Sequence, residues 1–287
     1  MHLRLWGVRG SIPTPVTENL RYGGNTSCIE VRHGNLPPLI FDAGSGIRGL
    51  GQSFLSEFPR GGECVVFFTH FHWDHIQGLP FFVPLYRPDW KITFYAAQDA
   101  ALTNSLLGGQ MCEPYFPVRM PAVAADLDYR EIGIGGLMLG DLSIRPFPLH
   151  HPSGATGFRI DSSAGSIVYA TDHEHGDTVI DGNLIAVAAG ADVLIYDAQY
   201  TPSEYASRHG WGHSTWEKAV RIAGSAGVKQ LVLFHHDPLH NDDFMDTMVA
   251  AARSKFANCI GAQEGWSTVV DRSNAALQIR ASGPIQR

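Results

Sequence analysis

Phe67-Phe68-Thr69-His70-Phe71-His72-Trp73-Asp74-His75 closes an apolar run, Cys64 to Thr69, with three imidazoles and one carboxylate. The run is rich in β-formers and reads as a buried strand, which puts the polar burst at a strand tip. Alternation along an extended start sends His70 and His72 to one side, and a tight turn afterwards swings Asp74 and His75 toward a second point. One strand end can therefore serve two metals. Neutral imidazole and carboxylate suit Zn²⁺ and its borderline neighbours, and groups so crowded repel or stay unpaired without a cation.

The His-x-His-x-Asp-His string resembles the shared signature of the metallo-β-lactamase superfamily, and its flanks look most like the ribonuclease Z and cyclic-phosphodiesterase branch. The resemblance implies an α/β fold, the four-layer αββα sandwich, in which two β-rich halves face each other with helices outside and metals at one edge. A pass along the chain finds six or more strands alternating with helical stretches, in keeping with that architecture.

The chain has 287 residues, long enough for two domains, yet layered α/β folds of this length form one unit, so 1–287 is expected to be a single domain. Apolar residues make up 44% and charged residues 17%, a balance that supports a large core and argues against disorder. Twenty-one basic against 28 acidic residues give a net charge of −7, the wrong sign for gripping long nucleic acid through its phosphates. Cys28, Cys64, Cys112 and Cys259 form no Cys-x-x-Cys pair, so neither a zinc ribbon nor a disulfide framework is indicated. With no apolar leader and no run that spans a bilayer, the sequence reads as cytoplasmic, with no membrane partner.

Strands are expected at Leu3 to Val8, Cys28 to Arg32 and Leu39 to Phe41, and a helix from Ile47 to about Phe58. Arg9, in a loop broken by Gly10 and two prolines, and Asn25, in a Gly-Gly-Asn-Thr-Ser stretch, are candidate contacts to an anionic substrate. The resemblance makes Asp42 a support for the metal-bearing loop. After His75, a helix is expected to start at Ile76. From Leu106 to Leu127, breakers and aromatics without periodicity predict a loop that forms a lid or substrate wall, with Tyr115, Phe116 and Arg119 facing the site.

Further strands at Leu142 to Pro148, Ser166 to Ala170, Val193 to Asp197 and Gln230 to Phe234 each run into polar residues. Together with the opening stretch, nine of the fourteen histidines fall in four short clusters, 70/72/75, 150/151, 173/175 and 235/236, as expected where an α/β site collects at strand ends. The resemblance carries His151 over as the third ligand of a first metal with His70 and His72. It gives Asp74, His75 and His235 to a second metal, and makes Asp172 the bridge. His173, Glu174 and His175 read as solvated loop residues. Ser214 and Glu217 have capping-box spacing, which sets His213 ahead of a helix N-terminus where anions are favoured. By resemblance to a Gly-His-Ser-Thr motif of ribonuclease Z relatives, His213 is the catalytic acid and Asp197 its orienter.

These assignments imply a dinuclear metal-dependent hydrolase. Water between two divalent ions, Zn²⁺ by ligand type or Mn²⁺, would attack phosphorus, with Asp74 and His213 in catalytic roles. Long ribonuclease Z enzymes carry a tRNA-gripping arm between the third His and the bridging Asp, but His151 and Asp172 are 21 positions apart here. The expected substrate is therefore a small phosphodiester, such as a cyclic nucleotide or a sugar phosphodiester. A carbonyl substrate (lactone, β-lactam or thioester) and a non-catalytic nucleotide sensor are the alternatives. Oligomeric state is left open, a homodimer included.

Overall fold

A computed structural model describes residues 1–272 together with Ile279–Arg280. Fifteen strands in two sheets form its centre among these described residues. The first sheet runs in the order β15 (Ile279–Arg280), β14 (Ser267–Val269), β1 (His2–Gly7), β2 (Cys28–Arg32), β3 (Leu39–Phe41), β4 (Gly62–Phe67), β5 (Trp90–Ala96) and β6 (Asp126–Glu131). The second has the order β13 (Cys259–Gly261), β12 (Gln230–Phe234), β11 (Val193–Asp197), β10 (Ser166–Ala170), β9 (Ala155–Asp161), β8 (Leu142–Leu149) and β7 (Leu137–Leu139).

Both sheets are mixed. Strands β3 to β6 are mutually parallel, as are β10 to β13. Parallel strands must be covered on both faces, which explains why β10, β11 and β12 read as unbroken apolar runs. Leu5, Phe41, Phe67, Phe158, Tyr169 and Phe234 fill the space between the sheets. Phe67 stacks on Phe41 at 5.0 Å and on Tyr95 at 5.2 Å. Each such buried ring contributes about 1.5–3 kcal/mol from area alone. Outside the first sheet, α1 (Ile47–Glu57) and α3 (Ala100–Gln110) seal a second core around Phe54, Phe82 and Trp90. Outside the second, α4 (Thr178–Ala188), α6 (Trp216–Ala226) and α7 (Asp242–Lys255) cover Leu194, Tyr196 and Leu233. The layers are α, β, β, α, the expected sandwich.

Several local expectations are corrected. Strand β4 stops at Phe67, two residues early, because Thr69 N–H donates to Asp42 Oδ1 at 2.9 Å instead of to a neighbouring strand. No helix starts at Ile76. The single turn α2 (Trp73–Ile76) ends there, and Pro80 and Pro84 divert the chain into two 3₁₀ turns. Leu106 to Gln110 belongs to α3, capped by Asp99, and Leu127 lies in β6, so the irregular stretch is shorter than expected. The cap of α6 is Thr215, whose Oγ1 accepts Lys218 N–H at 3.2 Å. Ser214 Oγ instead meets His175 Nδ1 at 2.8 Å. Between His151 and Asp172 the chain is the antiparallel pair β9 and β10, with no arm. Among the described residues, no helix is long and apolar enough to cross a membrane.

Candidate metal centre

The site gathers at one edge of the sandwich, where strands of both sheets end. His70, His72, Asp74 and His75 follow β4, His151 follows β8, Asp172 follows β10, Asp197 closes β11 and His235 follows β12. Two separate donor groups form, His70–His72–His151 and Asp74–His75–Asp172–His235, each with its ligand atoms within 4.8 Å of one another, and His213 joins two overlapping groups, with His151 and Asp172 and with Asp197 and His235. Asp172 faces both. Its Oδ1 lies 3.8 Å from the Nε2 atoms of His70 and His151, while Oδ2 lies 3.1 Å from His75 Nε2 and 3.3 Å from His235 Nε2. His72 is half-buried and the other six are buried, so the cluster meets solvent on the His72 side.

Each buried imidazole has its Nδ1–H engaged behind the site. His75 donates to Asp42 Oδ2 at 2.9 Å, His151 to Gly212 O at 2.9 Å, His235 to Gln199 Oε1 at 3.0 Å and His70 to Thr69 Oγ1 at 3.1 Å. Anchoring Nδ1–H in this way turns each Nε2 toward the centre, as a metal requires. His70 Nε2 and His75 Nε2 are buried without a hydrogen-bond partner, and His72 Nδ1 meets His151 Nε2 at 3.0 Å. Orphaned nitrogens beside two carboxylates are the donor set a divalent cation completes, so the residues fit such ions.

The electrostatics divide the same way. Burial holds His70 well below its ordinary value and lowers His72 and His151, which keeps this trio neutral. Burial also opposes charge on His235, yet Asp172, Asp74 and Asp197 lift it to about 9. Burial opposes the Asp74 carboxylate as well, but His75 and His235 hold it well below the usual range. Backbone strain marks the same place. Among the described residues only Ser11, Asp42, Asp172 and His235 are non-glycine residues with positive φ, between 57° and 63°. Such conformations cost about 1–3 kcal/mol each and persist where surrounding contacts over-determine them. Ser11 N–H donates to Asp74 Oδ2 at 2.7 Å, which ties that strained turn to the donor cluster as well.

Asp42 is fully buried and accepts from Thr69 N–H, Thr69 Oγ1, His75 Nδ1–H and Tyr169 O–H, all within 3.0 Å. Asp42→Ala strands these donors. We expect a loss of about 3–5 kcal/mol by urea unfolding and a 10–100-fold weaker zinc affinity by titration. An unchanged affinity would show that Asp42 does not orient His75.

His213 stands at the edge of the cluster, its Nδ1–H donating to Asp197 Oδ2 at 2.9 Å and its ring stacked on His235 at 4.8 Å. Asp197 also accepts Ser214 N–H at 3.0 Å and Asp172 N–H at 3.1 Å, so one carboxylate holds His213, its loop and the Asp172 backbone together.

Other expected contacts do not reach the centre. Arg9 is fully buried, its guanidinium donating to the carbonyls of Gly23, Asp237 and His240, so it braces three loops and cannot meet a substrate. Asn25 is likewise occupied, holding Glu264 Oε2 at 3.0 Å and accepting from Ser45 Oγ at 3.0 Å. Tyr115 and Arg119 lie exposed at the surface, where Arg119 comes within 3.8 Å of Glu113. Phe116 packs on Phe81 at 5.7 Å. His173 and Glu174 are buried, not solvated. Gln199, Ser11, Thr69 and Tyr169 escaped the sequence reading; of these only Thr69, inside the decisive stretch, carried a local signal.

His236, directly behind His235, is buried and donates Nε2–H to Ala262 O at 2.8 Å. Burial lowers it from 6.5 to about 3. The folded state thus binds fewer protons than the unfolded chain, and this contribution is whole above pH 6.5 and shrinks as pH falls toward 3. In chelator-treated protein between pH 6 and 4, His236→Gln should flatten the decline in unfolding free energy by about 1.4 kcal/mol per pH unit. Parallel wild-type and variant slopes would refute this.

Fold and site together define a metal-dependent hydrolase of the metallo-β-lactamase type. The chain belongs to the β-lactamase superfamily, whose domain model matches residues 39–236. It is 30% identical to an uncharacterised protein of Mycobacterium leprae over 79% of this chain and 75% of that one. A ribonuclease Z of Prochlorococcus marinus is 26% identical over 96% of this chain and its own full length. Among solved structures, the metallo-β-lactamase fold protein YhfI from Bacillus subtilis superposes with a TM-score of 0.70 at 18% identity, covering 93% of this chain and 97% of that one.

Proposed function

We propose that the protein is a dinuclear phosphodiesterase acting on a small cyclic nucleotide or sugar phosphodiester. The observation that carries this reading is Asp172, with one oxygen toward His70 and His151 and the other toward His75 and His235, beside a histidine held by its own carboxylate. His70, His72 and His151 would hold one ion, Asp74, His75 and His235 the other, and Asp172 both. When bound, two divalent ions polarise phosphoryl oxygens and acidify water. Zn²⁺ suits the histidines, and Mn²⁺ suits the carboxylates. Asp42, Gln199, Gly212 and Thr69 hold the Nδ1 sides of His75, His235, His151 and His70, so that Nε2 is the nitrogen each offers an ion.

His213 Nε2, opposite the Asp197-bound Nδ1, delivers a proton to the departing oxygen. The ribonuclease Z relative supports a phosphodiester as substrate. The armless β9–β10 hairpin and the net charge of −7 favour a small one. Metal-loaded protein should hydrolyse bis(p-nitrophenyl) phosphate, chelation should abolish turnover, and Zn²⁺ or Mn²⁺ should restore it. Two bound metals without turnover would sink the reading.

A further inference from the structure

Six tryptophans occur in the chain. Trp6, Trp90 and Trp266 are buried and Trp216 is half-buried; only Trp73, 64% exposed, and Trp211, 61% exposed, stand in solvent. Both adjoin residues of the centre along the chain. Trp73 separates His72 from Asp74, on the side where the cluster meets solvent, and Trp211 lies two residues before His213.

Trp211 is displayed on a fixed turn. Glu174, 6% exposed, accepts Gly210 N–H at 2.7 Å and Tyr205 O–H at 2.9 Å through Oε1, and Gly212 N–H at 2.8 Å through Oε2. The backbone is thus pinned on both sides of the indole. Gly212 is also tied to the centre, because its carbonyl takes the His151 Nδ1–H and a Cβ there would lie 2.2 Å from that nitrogen. Its φ of +87° further restricts the position to glycine.

An indole that stands in water on a pinned backbone forgoes the burial that ordinarily stabilises it. Its flat π-face is the surface on which nucleobases stack, whatever their sequence. We propose that Trp211, with Trp73 on the adjoining rim, stacks a flat ring carried by the substrate. This narrows the substrate from small phosphodiesters at large to nucleoside phosphodiesters. The proposal rests on the phosphodiesterase reading above. Trp211 is a specificity-determining residue and Glu174 the residue that positions it.

The test compares kcat/KM for 2′,3′-cyclic AMP and for glycerol 1,2-cyclic phosphate, which has no ring to stack. In Trp211→Ala the nucleotide-to-glycerol ratio should fall about five- to 150-fold, the worth of one base–aromatic stack, chiefly through KM. Trp211→Phe should recover much of it, and Trp73→Ala should give a smaller fall. As a readout apart from turnover, adenosine 5′-monophosphate should quench tryptophan emission in the wild type and lose most of that effect in Trp211→Ala. If the wild type cleaves both substrates and the ratio is unchanged in Trp211→Ala, the platform is overturned while the phosphodiesterase stands. If the wild type cleaves neither, the parent reading falls and takes the platform with it.

Discussion

Asp172→Ala should lower kcat/KM on any phosphodiester by about 10³-fold or more and reduce bound metal from two equivalents toward one. Among the described residues, Asp172 alone has two oxygens divided between the His70 and His151 side and the His75 and His235 side. Without it, the ions would lose both a shared ligand and the negative charge that offsets their mutual repulsion. Its loss should also be felt in metal-free protein, where Asp172 helps hold His235 up at about 9. Asp172→Asn separates charge from shape, since the amide keeps the volume but cannot bridge two cations as an anion. It should resemble Asp172→Ala in metal content. Metal analysis showing two equivalents in both variants, with near-native turnover, would remove Asp172 from the centre.

What the sequence revealed of this site depended on proximity along the chain. The strands that carry the ligands were legible because an apolar run ending in polar groups is a local pattern, and β2, β3, β10, β11 and β12 have the expected bounds. The helices α3 and α4 were missed because apolar residues lie on all their faces and leave no periodic stripe. Helix α7 does carry local signals in the sequence, with Asn241 as its cap, acids in its first turn and Arg253 and Lys255 in its last.

The supports behind the ligands were harder to see. Asp42 meets Tyr169 across 127 positions, and His235 meets Gln199 across 36. Nothing local links those pairs. Arg9 was misread for the opposite reason, since an arginine among glycine and prolines looks like a surface anion contact. The fold closes three loops around it, and the carbonyls of Gly23, Asp237 and His240 take its Nε and Nη1 donors.

His213→Gln should cost about 10²–10⁴-fold in kcat for a substrate that releases an alkoxide, such as a cyclic nucleotide. It should cost far less, about tenfold at most, for bis(p-nitrophenyl) phosphate, whose nitrophenolate leaves as a stable anion and needs little protonation. The contrast follows from how the ring is held. Asp197 Oδ2 takes Nδ1–H at 2.9 Å, so any proton given to a leaving oxygen must come from Nε2. Stacking on His235 at 4.8 Å, and a place beside His151 at 5.4 Å, fix the ring next to both donor groups. A residue that only packed the site would slow both substrates alike when replaced, because a disturbed ligand harms every reaction at the centre. Asp197→Asn should follow the same leaving-group pattern more weakly, as its amide can still accept from Nδ1–H but no longer offers a full negative charge. Equal losses on the two substrates in His213→Gln would assign His213 a structural part and require another source for the proton.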